Sequence, residues 1–230
     1  MGDVLRKRRV FLIVFDLDGT LIDSRKDLAD SANQLIHELG GSQLPEEAIG
    51  QMVGEGAAVL VRRALAAARV PETSASLPRF LDIYDDRLLM HTRAYDGITD
   101  VLQAVHPYAR LAVLTNKPAR PSDRILVGLG LRELFEEVIG GDGPWPRKPD
   151  PASLLAMIER LGATQETTLL VGDSIIDRET AARASVRCSL AAYGFGYASL
   201  SPGGTTGDEW IANTPSELLD VIERFLGLTA

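Results

Sequence analysis

The chain has 230 residues, 45% of them hydrophobic, with 24 Lys and Arg against 32 Asp and Glu and a formal net charge of −8. That length and apolar content suit one large domain, or a domain with a smaller insert, around a real core. The acidic balance argues against a nucleic-acid partner, which needs clustered Lys and Arg. No apolar run approaches the ~20 residues that cross a bilayer, and residues 1–9 lack a signal peptide's apolar segment, so a cytoplasmic protein with no membrane partner is expected.

Residues 10–15 are six consecutive apolar residues, all but Leu12 β-branched or aromatic. They read as a strand buried on both faces of a parallel sheet. The run ends in Asp16 and Asp18, which extended geometry sends to the same side, just where Gly19 lets the chain turn. Two carboxylates held close repel unless a cation neutralises them, so the pair reads as a hard-oxygen site. The alternative is a plain Asp-Leu-Asp-Gly turn after a strand.

The pattern then becomes helical. Asp23 and Ser24 are candidate N-caps for a helix with Leu28, Ala32, Leu35, Ile36 and Leu39 at helical spacing, stopped by Gly40-Gly41. Pro45-Glu46-Glu47 suggests a second helix start, residues 57–69 an alanine-rich third helix, and residues 80–91 a fourth with Ile83, Tyr84 and Leu88 on one side. No strand is expected between Asp23 and Ala94. This block reads as an all-helical subdomain, residues 22–95, set into a core of residues 1–21 and 96–230, with hinges at 21–23 and 95–97.

From Tyr95 onward helices and strands alternate, which predicts a doubly wound, Rossmann-like parallel sheet in an α/β fold. Strands are expected at 111–114, 138–139, 168–171 and 186–191, a surface loop at 202–207, and a closing helix at 215–226 capped by Thr214. Cys188 forbids an intrachain disulfide and reads as a small buried hydrophobe. His37, His91 and His106 lack ligand spacing, so no zinc is expected.

Three further strand ends carry polar clusters. Leu114-Thr115-Asn116-Lys117-Pro118 places a hydroxyl and an amide beside a helix start, a donor set suited to phosphate oxygens, although both residues also cap helices. Pro146-Arg147-Lys148-Pro149-Asp150-Pro151 fixes Lys148 between prolines, where it would balance an aspartate unless it is a solvated surface Lys. In Val171-Gly172-Asp173-Ser174-Ile175-Ile176-Asp177, Asp173 and Asp177 lie one helical turn apart; a third carboxylate thereby reaches a metal, or Asp177 caps the next helix.

Asp-x-Asp-Gly-Thr, Leu-Thr-Asn, Lys-Pro-Asp-Pro and Gly-Asp-Ser-x-x-Asp, in that order and each at a strand end, resemble the haloacid dehalogenase superfamily of phosphatases. The resemblance runs from about residue 10 to 197, and the helical insert falls where a subgroup carries its cap. Val53-Gly54-Glu55-Gly56, residues 60–65, Leu114-Thr115-Asn116-Lys117-Pro118 and Arg147-Lys148-Pro149-Asp150-Pro151 look like the phosphoglycolate phosphatase branch.

The resemblance implies a phosphomonoester hydrolase acting on a small phosphorylated metabolite, 2-phosphoglycolate first. Asp16 would be the nucleophile and Asp18 the general acid and base. Mg²⁺ would be held by Asp16, the Asp18 carbonyl and Asp173. Thr115, Asn116 and Lys148 would bind the phosphoryl group, and Asp177 would orient Lys148 or a metal-bound water. In the cap, Gly54, Glu55 and Gly56 form a tip, and Arg62 or Arg63 would offset Glu55 and clamp a substrate carboxylate, the alternative being a solvent-facing arginine pair. A phosphosugar mutase and other phosphatases of the superfamily are the alternatives; a non-catalytic binding module fits less well, because nucleophile, acid, lysine and metal acid are all present. Neither Arg178 nor Trp145 has an account at this level.

Overall fold

The computed structural model describes residues 9–200 and 207–228. Its centre is β1 (Leu12–Phe15), every residue of which is buried. Burying four large apolar side chains removes roughly 6–12 kcal/mol of hydration cost before chain entropy is counted. Alternation sends Ile13 and Phe15 into one hydrophobic cluster and Leu12 and Val14 into another, so each sheet face has its own core.

After β1 the chain makes β2 (Ile22–Asp23), then α1 (Arg25–Glu38), α2 (Glu46–Gly50), α3 (Ala57–Ala67) and α4 (Ser76–Asp85), and returns through β3 (Arg93–Ala94). The expectation of no strand in this block is corrected at its two ends, where β2 and β3 pair antiparallel, Ile22 against Ala94 and Asp23 against Arg93. Two residues are too short for a hydropathy signal, so the ribbon is set by the chain's crossing and recrossing at one place. The fourth helix runs earlier than expected, ending at Asp85 instead of residue 91. The buried Asp27 carboxylate accepts from the backbone N–H groups of His91 and Thr92 and from the Thr92 hydroxyl, which holds residues 91–92 out of helix. Ile83, Tyr84 and Leu88 are nevertheless all buried.

The remaining elements are α5 (Ile98–Val105), β4 (Arg110–Leu114), α6 (Ala119–Gly128), β5 (Glu137–Ile139), α7 (Ala152–Arg160), β6 (Thr168–Gly172), α8 (Ile175–Ala184), β7 (Arg187–Ala191), β8 (Trp210–Ala212) and α9 (Pro215–Leu226). Thr214 caps α9 as expected, its hydroxyl accepting from the Glu217 N–H at 3.2 Å. Strand β8 has no counterpart in the sequence reading, because three residues at a sheet edge, Ile211 among them exposed, carry little pattern. The loop read at 202–207 lies, except for Gly207, outside the described residues.

The sheet order is β5-β4-β1-β6-β7-β8, and every pairing in it is parallel. Helices α5, α6 and α9 contribute to the cluster on one face, with α1, α3 and α4; α7 and α8 contribute to the other. This is the doubly wound α/β arrangement with a helical insert. The chain leaves β1 toward β4 and β5, then returns to β6 on the other side of β1. That reversal opens a crevice at the carboxyl ends of the central strands, where ligands of such sheets bind. Phe15 is level with both Val113 and Val171, so the segments following β1, β4 and β6 emerge at one edge.

Candidate active site

The β1 exit makes a tight loop. Asp16 is buried, and its N–H donates to the Val171 carbonyl at 2.8 Å. Gly19 has φ of +87°, and a Cβ built there would lie 1.9 Å from Asp173 Oδ2, so only glycine lets this loop press against the β6 exit. Asp18 is held from two sides. The Lys117 ammonium donates to both its oxygens, at 2.9 and 3.0 Å, and the Ser24 hydroxyl donates to Oδ1 at 2.5 Å. Ser24 therefore does not cap α1 through its side chain; Asp23 Oδ1 accepts instead from the Arg25 N–H at 3.1 Å.

Behind Asp16 lies a buried charge cluster. Lys148 Nζ donates to Asp177 Oδ1 at 2.6 Å and stands 2.9 Å from Asp16 Oδ1, without being aligned for a hydrogen bond to it. The other Asp177 oxygen accepts from the Ser174 N–H and hydroxyl, closing a capping box on α8. One Asp177 carboxylate thus contacts both the opening of α8 and the lysine. Asp173 Oδ2 accepts from the Gly196 N–H at 2.7 Å.

Ligand atoms of Asp16, Asp173 and Asp177 all lie within 4.8 Å of one another. Burial pushes the Asp16 carboxyl up to about 6; Asp177 adds to the rise and Lys148 opposes it. Burial likewise raises Asp173 well above the ordinary carboxylate range, reinforced by Asp177 and Asp16. Burial pulls the Lys148 ammonium down, yet Asp16 and Asp177 more than compensate and keep it charged. The lysine is not a solvated surface residue. The cluster still holds more acid than base, which is the electrostatic condition of a cation site.

The β4 exit differs from the sequence expectation in two ways. Thr115 is buried, its hydroxyl accepting from the Lys117 N–H at 3.2 Å. The Asn116 amide spends both N–H groups on backbone, one on Gly54 O at 2.9 Å and one on Lys148 O at 3.0 Å. Asn116 therefore ties the helical block to the lysine loop, and its amide N–H groups are not left for a phosphoryl oxygen. Lys117, quoted in the motif but given no role there, is the residue that reading missed. It is 7% exposed and its ammonium sits 4.6 Å from the centre of the Tyr84 ring.

A cleft of about 650 Å³, open mouth included, lies over these strand ends. Asp16, Asp18, Thr115, Lys117 and Asp173 form its floor; Leu28, Val53, Leu60, Phe80, Leu81 and Tyr84 of the helical block form apolar walls. Gly54 and Gly56 line it, both at positive φ, whereas Glu55 does not. Arg63 pairs with Glu55, which is the expected offset of that charge. Of the two readings of Arg62 and Arg63, the placement is that of a solvent-facing pair: both are exposed and neither lines the cleft. On α3 the cleft side is taken by Leu60, and the arginines occupy positions turned to solvent. Outside the cleft, Trp145 lies under the Arg160 guanidinium at 4.6 Å, and Arg178 faces Glu209 at 4.0 Å. Cys188 is buried in β7, and burial pushes its thiol up.

The fold is that of an α/β enzyme, with its candidate site at the carboxyl ends of the strands. The family model of the haloacid dehalogenase-like hydrolases matches residues 13–191. The chain belongs to that family, and among its relatives it is a phosphatase. It is similar to the phosphoglycolate phosphatase of Rhodospirillum rubrum, 41% identical over 192 residues, covering 80% of each chain. The phosphoglycolate phosphatase of Colwellia psychrerythraea is 34% identical over 221 residues, 93% of this chain and 97% of that one. The crystal structure of a predicted phosphoglycolate phosphatase from Haemophilus somnus 129pt superposes with a TM-score of 0.84 at 30% identity, covering 94% of this chain and 99% of that one.

Proposed function

We propose that this phosphatase hydrolyses a small phosphomonoester, 2-phosphoglycolate foremost, through a phosphoryl group carried on Asp16 and with Mg²⁺ as cofactor. The carrying observation is the Asp16 carboxylate: it lines the cleft floor at the end of β1, and one of its oxygens, Oδ1, is paired with Lys148 at 2.9 Å. With Oδ1 anchored by the lysine, which favours the ionised form, the other oxygen is the one that would attack phosphorus.

The acids fit magnesium. They supply only oxygen, they cluster within 4.8 Å, and Asp16 and Asp173 carry raised pKa values that a cation would relieve. Asp16, Asp173 and the Asp18 carbonyl would hold the ion, which supplies positive charge to the transferring phosphoryl group. Asp177 has both oxygens engaged by Lys148 and Ser174, so it orients the lysine.

In this reading the Asp18 carboxyl gives a proton to the leaving oxygen and then takes one from the attacking water. Ser24 fixes its rotamer. The Thr115 hydroxyl faces phosphoryl oxygens, while Lys148 balances the charge built up on Asp16. Residues 22–95 act as a cap over a core of 1–21 and 96–230, and the Asn116 amide couples the cap tip at Gly54 to the lysine loop. Apolar cap walls exclude water from the reacting groups.

The test is phosphate release from a panel of small phosphomonoesters with and without Mg²⁺, for wild type and Asp16→Asn. The expected result is metal-dependent turnover, highest on 2-phosphoglycolate and abolished in a folded Asp16→Asn variant. Turnover near wild type in that variant would refute the covalent route, and release independent of added or chelated metal would refute the cofactor assignment.

A further inference from the structure

We infer that Lys117 is the receptor for a second anionic group on the substrate, and that the substrate takes this lysine from Asp18 as it binds. The inference rests on the phosphomonoester reading above and names its substrate class, phosphoesters with a carboxylate one or two carbons from the ester oxygen.

The first observation is one of charge. Among the described residues, Lys117 is the only Lys or Arg that lines the cleft. Lys148 lies behind Asp16, committed to two carboxylates, and Arg62 and Arg63 face solvent. A substrate anion beyond the phosphoryl group therefore has one side-chain cation to meet. The apolar walls contributed by Leu28, Val53, Leu60 and Phe80 lower the local dielectric and strengthen that contact.

The second observation is a hydroxyl. Tyr84 is 3% exposed, lines the same cleft, and its Oη has no aligned hydrogen-bond partner. Its pairing is with the Lys117 ammonium, which the hydroxyl helps to keep charged, so a ligand that draws the lysine away frees this hydroxyl to donate. Lys117 packs 4.6 Å from the centre of the same ring, so ammonium and hydroxyl are neighbours. The opening turn of α3 borders the cleft through Gly56 and Ala57, and Gly56, as N-cap, offers no side-chain acceptor to its N–H groups. That positive end adds to the pair.

The third observation explains why this subsite affects chemistry as well as binding. The Lys117 ammonium donates to both oxygens of Asp18, and Ser24 donates to one of them. Asp18 cannot reach a leaving oxygen while both its own oxygens are held. A substrate carboxylate that draws Lys117 away exchanges one ion pair for another and frees Asp18 for proton transfer. A neutral alkyl phosphate has no group with which to do so, and discrimination appears in kcat as well as KM.

The experiment compares 2-phosphoglycolate and 3-phosphoglycerate with ethyl phosphate, in wild type, Lys117→Met, Lys117→Arg and Tyr84→Phe, measuring kcat and KM for each with thermal unfolding as the folding control. The ratio of kcat/KM for carboxylated over neutral ester is expected to fall about 30-fold or more in Lys117→Met, as for loss of a buried charge partner. Lys117→Arg should keep more of the ratio than Met, and Tyr84→Phe should lose several-fold, about what one neutral hydrogen bond supplies. An equal loss on both ester classes in a folded Lys117→Met variant would overturn the subsite and leave the phosphatase reading standing. A wild type that hydrolyses ethyl phosphate as well as the carboxylated esters would refute the substrate assignment, and the subsite with it. If Lys117→Met does not fold, Tyr84→Phe decides: an unchanged ratio overturns the inference.

Discussion

Replacing Lys148 with Met tests the electrostatic core of the site without changing its volume greatly. Lys148 is 4% exposed, donates to Asp177 at 2.6 Å and stands 2.9 Å from Asp16. Removing one partner of a buried ion pair leaves uncompensated charge and costs about 3–5 kcal/mol. For a chain of this size that predicts a fall in Tm of roughly 6–20 °C at pH 7. The loss should depend on pH in a stated direction. Asp16 already titrates near 6 in the folded protein against an ordinary 3.8, and deleting Lys148 removes a charge that lowers it, so it rises further. Between those values the folded state binds more protons than the unfolded, and stability therefore falls as pH rises through that window. The variant should be least destabilised near pH 4–5 and most at pH 7 and above. Lys148 itself titrates above its ordinary 10.5, so the stability it gives is constant across this range and does not blur the slope. Urea unfolding of both proteins at pH 5 and 7, in chelator, reads the effect. A loss below about 1 kcal/mol, or one equal at both pH values, would refute the buried-cluster argument.

Two other outcomes follow from the geometry. Gly19→Ala should cost about 2–5 kcal/mol from positive-φ strain and overpacking, because the new Cβ would fall 1.9 Å from Asp173 Oδ2; it should also weaken Mg²⁺ activation, and an Ala variant with wild-type stability and metal dependence, by urea unfolding and Mg²⁺ titration of activity, would contradict the close packing of these loops. The double change Arg62→Ala with Arg63→Ala should shift kcat/KM on carboxylated phosphoesters by less than about threefold, since exposed charges act weakly; a tenfold rise in KM confined to those esters would restore the arginine clamp.

What was legible in the sequence follows the range of the interactions involved. The central strand, its two acids and the Gly-Asp-Ser-x-x-Asp cluster could be read because each is a local run whose pattern is set by burial or by a turn. The parallel register then brings the strand ends together, so order along the chain sufficed to assemble Asp16, Asp173, Asp177 and Lys148. The β2–β3 ribbon and β8 were hidden because two or three residues cannot express a period, and the fourth helix was misplaced because Asp27, more than sixty positions earlier, takes the backbone N–H groups of His91 and Thr92.

The charged residues around the cleft show a sharper limit. Arg62 and Arg63 attract attention as a pair of charges near a glycine tip, but helical phase alone sets where they face, and Leu60 and Ala64 take the buried side of α3. Lys117 attracts none, since lysine after Thr-Asn reads as one more polar residue in a loop. Its position depends on Asp18, 99 positions away, and on a tyrosine contributed by the helical block. A charge at the floor of an apolar cleft is worth more to an anion than two at its rim, because burial removes the water that would screen it. On the proposed reading, substrate choice would have its physical seat over Asp18, with the helical block supplying the apolar wall and the tyrosine and the β4 exit supplying the ammonium.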